Sequence, residues 1–234
     1  YGSTVAIGNV VVSPSEFMPR LFAENGRLLD SQGRITLDTP EALRALENYR
    51  ETYSYSDRTI YDFWKNALEG FADGTAAMTV VFINYASHIL NSQMSRIAGK
   101  LGFAPVPGGK PLLGGGVIGI AQSCTCPAAA CKFLEWLYAD LVAPVFTMLG
   151  GLSPCRSAYS NRDISEQYPW LSTARKSFPT AQRRSNSTYY QNFSELQLET
   201  ILAAHVQQAV LGVCSPEEAL KQAQEDCNRY FQPW

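Results

Sequence analysis

The sequence predicts an α/β fold with a helix-rich C-terminal half, and three observations carry that prediction. Short apolar, Val-rich runs alternate with amphipathic helical periods through the first half of the chain. Helix-start signals combining Ser or Thr with Pro and Glu recur at Ser13-Pro14-Ser15-Glu16, Thr39-Pro40-Glu41 and Ser215-Pro216-Glu217-Glu218. A Gly/Pro-rich break at residues 107–116 separates the alternating part from the second half of the chain.

Residues 5–12 read as an apolar strand, followed by a helix with Ser13 as N-cap that Pro19 keeps short or kinked. Residues 28–37 read as a hairpin turning at Ser31-Gln32-Gly33, with Ile35 and Thr36 on its return arm. The helix opened by Thr39 carries Leu43, Leu46, Tyr49 and Tyr53 at helical spacing. Residues 59–72 predict a further amphipathic helix with Ile60, Phe63, Leu68 and Phe71, stopped at Gly74. Strands are then expected at 76–83, 101–106 and 117–121, with helices at 85–98 and 127–141; the latter would turn Ala130, Phe133, Leu134, Leu137 and Tyr138 inward. After Gly150-Gly151 and a polar loop at 180–188, the stripe of Leu198, Ile201, Leu202, His205, Val206, Ala209 and Val210 predicts a long helix over 193–211. A final helix buries Ala219, Ala223, Cys227 and Tyr230.

The chain has 234 residues, 46% hydrophobic and 17% charged, a balance that supports one large or two smaller cores. A net charge of -2 leaves no basic surplus for a nucleic-acid backbone, so no nucleic-acid partner is expected. No apolar run approaches the roughly 20 residues that span a bilayer. The chain opens at Tyr1, in a strand already under way, so the sequence is expected to begin inside a longer protein. Cys214 and Cys227 flank or sit on one predicted helix, about 20 Å apart and beyond disulfide reach, and Cys124, Cys126 and Cys131 lack the second spaced pair or nearby His of a zinc site. No metal and no cofactor are expected; the six cysteines read as buried or incidental thiols.

Catalytic chemistry finds no foothold. Gly114-Gly115-Gly116-Val117-Ile118-Gly119 fits a dinucleotide fingerprint in letters, but Pro111-Leu112-Leu113 is a poor preceding strand and the motif opens no helix, so it reads as a hinge loop using Gly for unusual dihedrals. His88 and His205 are the two histidines, and His205 lies on an apolar stripe as a core residue. No catalytic residue is assigned. What remains is a set of aromatic and polar groups at breaks between elements: Phe17, Trp64, Asn84, Tyr85, Arg156, Tyr189, Tyr190 and Asn192. Aromatic planes stacked on pyranose faces, with Asn and Arg hydrogen-bonding hydroxyls, are the physical basis of sugar binding.

In order along the chain, the hairpin with Leu37-Asp38-Thr39-Pro40-Glu41-Ala42, then Phe71-Ala72-Asp73-Gly74-Thr75-Ala76-Ala77-Met78 and Gly102-Phe103-Ala104-Pro105-Val106-Pro107-Gly108 form a recognisable series. Gly114 to Ile120 with Ala128 to Leu137, Gly150-Gly151-Leu152-Ser153-Pro154-Cys155-Arg156, and Ser215-Pro216-Glu217-Glu218-Ala219-Leu220 complete it. This series resembles the family 1 extracellular solute-binding proteins, which include maltose-binding protein. The resemblance implies a type II periplasmic-binding-protein-like lobe: a mixed sheet flanked by helices, with the helix-rich C-terminal half. Residues 1–113 would form the α/β core of the C-terminal lobe. Residues 114–150 would return to an N-terminal lobe lying, with a signal peptide and a lipid-bearing Cys, before Tyr1. Residues 151–234 would complete the C-terminal lobe. An apolar face should then be exposed or covered by association.

The implied function is the substrate-binding component of an ABC importer outside the cytoplasm, capturing a small solute, expected to be a mono- or oligosaccharide, in a cleft between lobes for a membrane permease. The ligand-binding residues it implies are Glu16, Phe17, Asn84, Tyr85, Gly114, Gly115, Gly116, Arg156 and Tyr190. Where family members place Gly-x-Trp, this chain has Phe82-Ile83-Asn84, so Asn84 or Tyr85 takes that role; a second family aromatic falls near Glu199, which has no stacking face. The alternatives are a helical module that docks to a partner protein and a nucleotide-binding enzyme domain.

Overall fold

The computed structural model describes residues 1–8, 10–56, 63–160, 162–183 and 186–234. Four short strands, β1 (Ser3–Thr4), β2 (Met78–Thr79), β3 (Leu112–Leu113) and β4 (Gln182–Arg183), stand among eleven helices within those residues. The helices are α1 (Val12–Ala23), α2 (Pro40–Ser54), α3 (Trp64–Ala72), α4 (Ala86–Leu90), α5 (Pro127–Leu137), α6 (Val142–Met148), α7 (Ser157–Ser160), α8 (Arg162–Gln167), α9 (Pro169–Ser177), α10 (Glu195–Val210) and α11 (Pro216–Tyr230). The chain divides into two compact units. Unit 1 comprises residues 1–81, 106–113 and 180–234, and unit 2 comprises 82–105 and 114–179.

Unit 1 holds all four strands as two parallel pairs, β1 with β2 in the register Ser3 to Met78, and β3 with β4 in the register Leu112 to Gln182. Parallel pairing requires a crossover, which α1 to α3 supply between β1 and β2. Three helices, α2, α10 and α11, start where a side chain satisfies one of their first amides: Thr39 accepts from the Ala42 N–H, Ser194 from Gln197 and Ser215 from Glu218. Helix α1 differs from expectation. It begins at Val12, because the Ser13 hydroxyl bonds the Gly8 carbonyl instead of capping, and it runs through Pro19 to Ala23. It ends with Asn25 in the left-handed region (φ 64) and the Gly26 N–H on the Leu21 carbonyl, a Schellman-type stop.

The hairpin over 28–37 forms as predicted, bridged at Leu29 and Ile35, with Gly33 at φ 82 in its turn. The apolar stripes of α2, α10 and α11 pack together and on α1, burying Leu46, Tyr49, Leu198, Leu202, Val206, Ala219, Ala223 and Cys227. Tyr230 is exposed, against expectation, because α11 is ending there. Of the helix expected over 59–72, α3 accounts for Trp64 onward, with Leu68 and Phe71 buried and Gly74 (φ 79) closing it; residues 57–62, including Ile60, lie outside the described residues.

Unit 2 has a smaller core of Ala86, Ala143, Ala158, Tyr159, Trp170, Leu171 and Ala174, with Ile83, Leu90, Phe103 and Cys155 packed against it. The sequence expectations fail most often here. The helix expected over 85–98 stops at Leu90, because the Asn91 side chain takes the Gln93 N–H in an Asx turn. Neither 101–106 nor 117–121 is a strand: no neighbouring strand offers either a ladder, and 117–121 is exposed throughout. Helix α5 forms, and of the residues expected to turn inward Ala130, Leu134, Leu137 and Tyr138 are half-buried while Phe133 is not; none of its residues is fully buried, and Phe133 and Trp136 are each more than half exposed. No helix among the described residues is long and apolar enough to cross a membrane.

Candidate functional site

The expected ligand-binding residues fall into three separate settings. In unit 1, Glu16 and Phe17 sit in the second turn of α1. Phe17 is fully buried, which leaves no ring face for a ligand and makes it a core residue. Glu16 is buried too. Its Oε2 lies 3.0 Å from Arg20 Nη1, Trp64 donates to it, and the Arg20 guanidinium lies 4.6 Å from the centroid of the Tyr49 ring. Burial pushes the Glu16 carboxyl above its ordinary range, and the charge and hydrogen bond of Arg20 oppose that shift. This carboxylate is engaged inside the unit, so its first role is to hold α1 against α2 and α3.

Tyr190 lies elsewhere in unit 1. Its hydroxyl accepts the Ile35 N–H at 2.9 Å, and its ring packs on Tyr189, Phe193 and Phe231, at the hairpin and the C-terminal segment. Tyr190 is thus engaged by the hairpin and the C-terminal segment, whereas Glu16 is engaged by Arg20 and Trp64. Asn192, also among the polar candidates, is spent on the backbone: its Nδ2 donates to the Tyr230 carbonyl and its Oδ1 accepts the Gln232 N–H. Trp64 is buried against α1, and Glu199 is buried on α10.

Unit 2 gathers the rest. Asn84 and Tyr85 lie on a 3-10 turn, residues 83–85, that leads into α4 and is closed by the Tyr85 N–H on the Phe82 carbonyl. Asn84 is exposed and Tyr85 half-buried, and partial burial raises the Tyr85 hydroxyl above its ordinary range. The backbone of Gly114 runs against this turn: a Cβ there would lie 3.1 Å from the Phe82 ring. The Gly150-Gly151 loop lies against α4 as well, since a Cβ at Gly150, where φ is 97, would collide with Ser87 Oγ. That loop leads to Arg156, whose carbonyl accepts the Tyr159 N–H at the start of α7 and whose side chain is exposed. The turn at 83–85, the glycines at 114 and 150 and the Arg156 loop thus assemble around one small core, with Asn84 and Arg156 exposed.

Gly115 and Gly116 stand in open space, and none of Gly114 to Gly116 has the positive φ that a glycine hinge would require; the left-handed glycines are Gly108 and Gly109 upstream. The dinucleotide fingerprint is corrected in another way too. Leu112–Leu113 does form a strand, β3, but no helix begins before Pro127, so no helix N-terminus faces these glycines to cradle a pyrophosphate. Among the described residues no group of His, Cys, Asp and Glu could hold a metal ion. His205 bonds Asp226 Oδ2 at 2.8 Å between α10 and α11, a structural pair. Cys227 is buried and burial pushes its thiol up to about 12, whereas Cys126 and Cys131 are exposed rather than buried. One group of residues was overlooked in the sequence: Asp30, Arg34 and Asn228, which line a pocket with Tyr190. The available signal was the Asp/Arg pair four apart across the predicted turn.

Residues 11–173 match the family model described as bacterial extracellular solute-binding protein. Similar folds occur in a maltose-bound protein of T. maritima (TM-score 0.83, 21% identity, 98% of this chain and 60% of that one) and a solute-binding protein of Agrobacterium radiobacter K84 in complex with ribitol (0.77, 22%, 99% and 60%). A third is the solute-binding protein of Thermotoga lettingae TMO bound with α-D-tagatose (0.75, 26%, 98% and 59%). The chain thus spans about 60% of the length of these structures. Its fold is that of the type II periplasmic binding proteins.

Proposed function

The chain belongs to the family of bacterial extracellular solute-binding proteins, and from that premise we propose that it works as the substrate-binding component of an ABC importer, capturing a sugar or polyol outside the cytoplasm for a membrane permease. The observation that carries this reading is the family match over residues 11–173, together with a fold shared with proteins holding maltose, ribitol and tagatose. It is a carrier and not an enzyme, with no cofactor in its cycle.

The solute contacts proposed within unit 2 are Asn84 and Tyr85 on the turn before α4, the open backbone of Gly114 to Gly116, and Arg156. Asn and Arg offer planar sets of donors that match vicinal hydroxyls, and a half-buried Tyr offers a ring face and a hydroxyl. Residues 114–150 are read as the stretch that packs on a further lobe of the protein. The exposed apolar side chains of this stretch, including Val117, Phe133, Trp136, Leu141 and Leu149, support that reading. The protein is proposed to act in the periplasm or lipid-anchored at the cell surface.

Calorimetric titration with maltose, D-tagatose and ribitol tests the reading. At least one of them binds, and Asn84→Ala and Arg156→Ala each weaken it about tenfold, a loss of about 1.4 kcal/mol. Unchanged affinity in both variants would remove these residues from the site, and binding of nucleotides in place of sugars would overturn the function.

A further inference from the structure

A pocket of about 380 Å³ lies wholly within unit 1, between the hairpin and the C-terminal segment. Its volume falls in the range of small-ligand sites. The aromatic side is built on the half-buried Tyr189, which meets the largely enclosed Tyr190 edge to face at 5.0 Å; Phe231, 5.6 Å from Tyr190, is buried beneath the lining. The Tyr190 hydroxyl oxygen accepts the Ile35 N–H, which leaves its own hydrogen able to donate.

The polar side is unevenly supplied. Asp30 is saturated: Oδ1 accepts the N–H groups of Gln32 and Arg34, and Oδ2 accepts Arg34 Nε at 2.7 Å. Those bonds hold the Asp30 carboxyl below the usual carboxylate range, the Arg34 N–H first among them. Arg34 uses only Nε, leaving both terminal nitrogens of its fork without a partner among the described residues. Asn228 accepts from Gln224 through Oδ1, which leaves its Nδ2 to donate. The pocket therefore offers a surplus of donors beside ring faces. Asp30 and Arg34 are its two charged lining residues and cancel, so there is no net charge to draw in an ion.

We propose that this pocket is a second binding site, taking a neutral, oxygen-rich ring of the saccharide class, whose hydroxyls and ring oxygen accept from Arg34 and Asn228 while an apolar ring face lies on the half-buried Tyr189. The site goes beyond the solute-capture reading and uses none of the residues proposed for it in unit 2. Its open, shallow form fits a weak interaction, with Kd of about 1 mM.

The test tracks the ring resonances of Tyr189 and Tyr190 by NMR while methyl α-D-glucopyranoside is added, and separately while benzoate is added. The expected result is a saturating shift of both rings with the glucoside, and about tenfold weaker binding in Arg34→Ala and in Asn228→Ala. Arg44→Ala, which removes an exposed side chain paired with Glu24 and Glu41 outside the pocket, leaves the shift unchanged. No shift with the glucoside, a shift with benzoate alone, or equal shifts in Arg34→Ala and Asn228→Ala would each overturn the proposal.

Discussion

Unit 1 and unit 2 are built from similar sequence material and reach different degrees of closure. In unit 1 the apolar stripes of α1, α2, α10 and α11 meet one another, and the helices that carry most of the core are capped by Thr39, Ser194 and Ser215. In unit 2 the core is a handful of residues around Trp170, and α5, one of its longest helices, buries none of its apolar residues. A helical stripe in a sequence guarantees an amphipathic helix, but whether that stripe becomes core depends on a partner elsewhere in the protein.

The largest expected effects compare buried and exposed aromatics. Trp170→Ala should lower stability by about 3 to 5 kcal/mol in urea unfolding, since a fully enclosed indole leaves a cavity. Trp136→Ala on α5 should change it by less than about 0.5 kcal/mol. A large loss at Trp136 in this 234-residue chain would mean that α5 is packed without any further lobe and that the contrast between the units is false.

Glycine substitutions sharpen the same contrast at a lower magnitude. Gly108→Ala in unit 1 drives a Cβ into that of Ala23 at a φ of 79, and should cost about 1 to 3 kcal/mol. Gly116→Ala in unit 2 meets nothing within 4 Å and has no positive φ, so thermal unfolding should stay near that of the parent. Thr39→Ala removes the acceptor for the Ala42 N–H and should cost about 1 kcal/mol.

The smallest effect is the pH dependence of the α10 to α11 pair. The His205 hydrogen bond, with Arg229 adding to it, holds the Asp226 carboxyl below its ordinary range. A depressed carboxyl stabilises the fold above its unfolded value of about pH 4 and loses that contribution as pH falls through the folded value. Asp226→Asn should therefore flatten the acid side of a Tm-against-pH curve and leave its slope above neutrality unaltered.

Much of unit 1 was legible in the sequence, because its signals are local. Thr39-Pro40-Glu41 and Ser215-Pro216-Glu217-Glu218 start helices where they stand, and Gly33 turns the hairpin in its expected place, with Ser187, Tyr190 and Gln224 adding bonds from far along the chain. Signals that need a neighbour misled. Val117 to Ala121 has strand composition but no strand beside it, and the helical period beyond Leu90 is cut by the side chain of Asn91. Order along a family pattern names Asn84, Tyr85, Gly114 and Arg156 as site residues but divides them among three segments, whereas the structure puts them in one unit. The sequence could not tell that Phe17 is enclosed, that Glu16 is spent on Arg20, or that Tyr190 belongs to a separate pocket with Asp30 and Arg34, because each of those facts depends on tertiary packing.

Solute capture is decided by a thermal-shift screen of the chain against sugars, polyols, amino acids and nucleotides, because a ligand that binds only the folded state raises its melting temperature. A rise with one sugar or polyol class and none with nucleotides is expected. A rise with nucleotides alone, or no rise with any sugar or polyol, would contradict it.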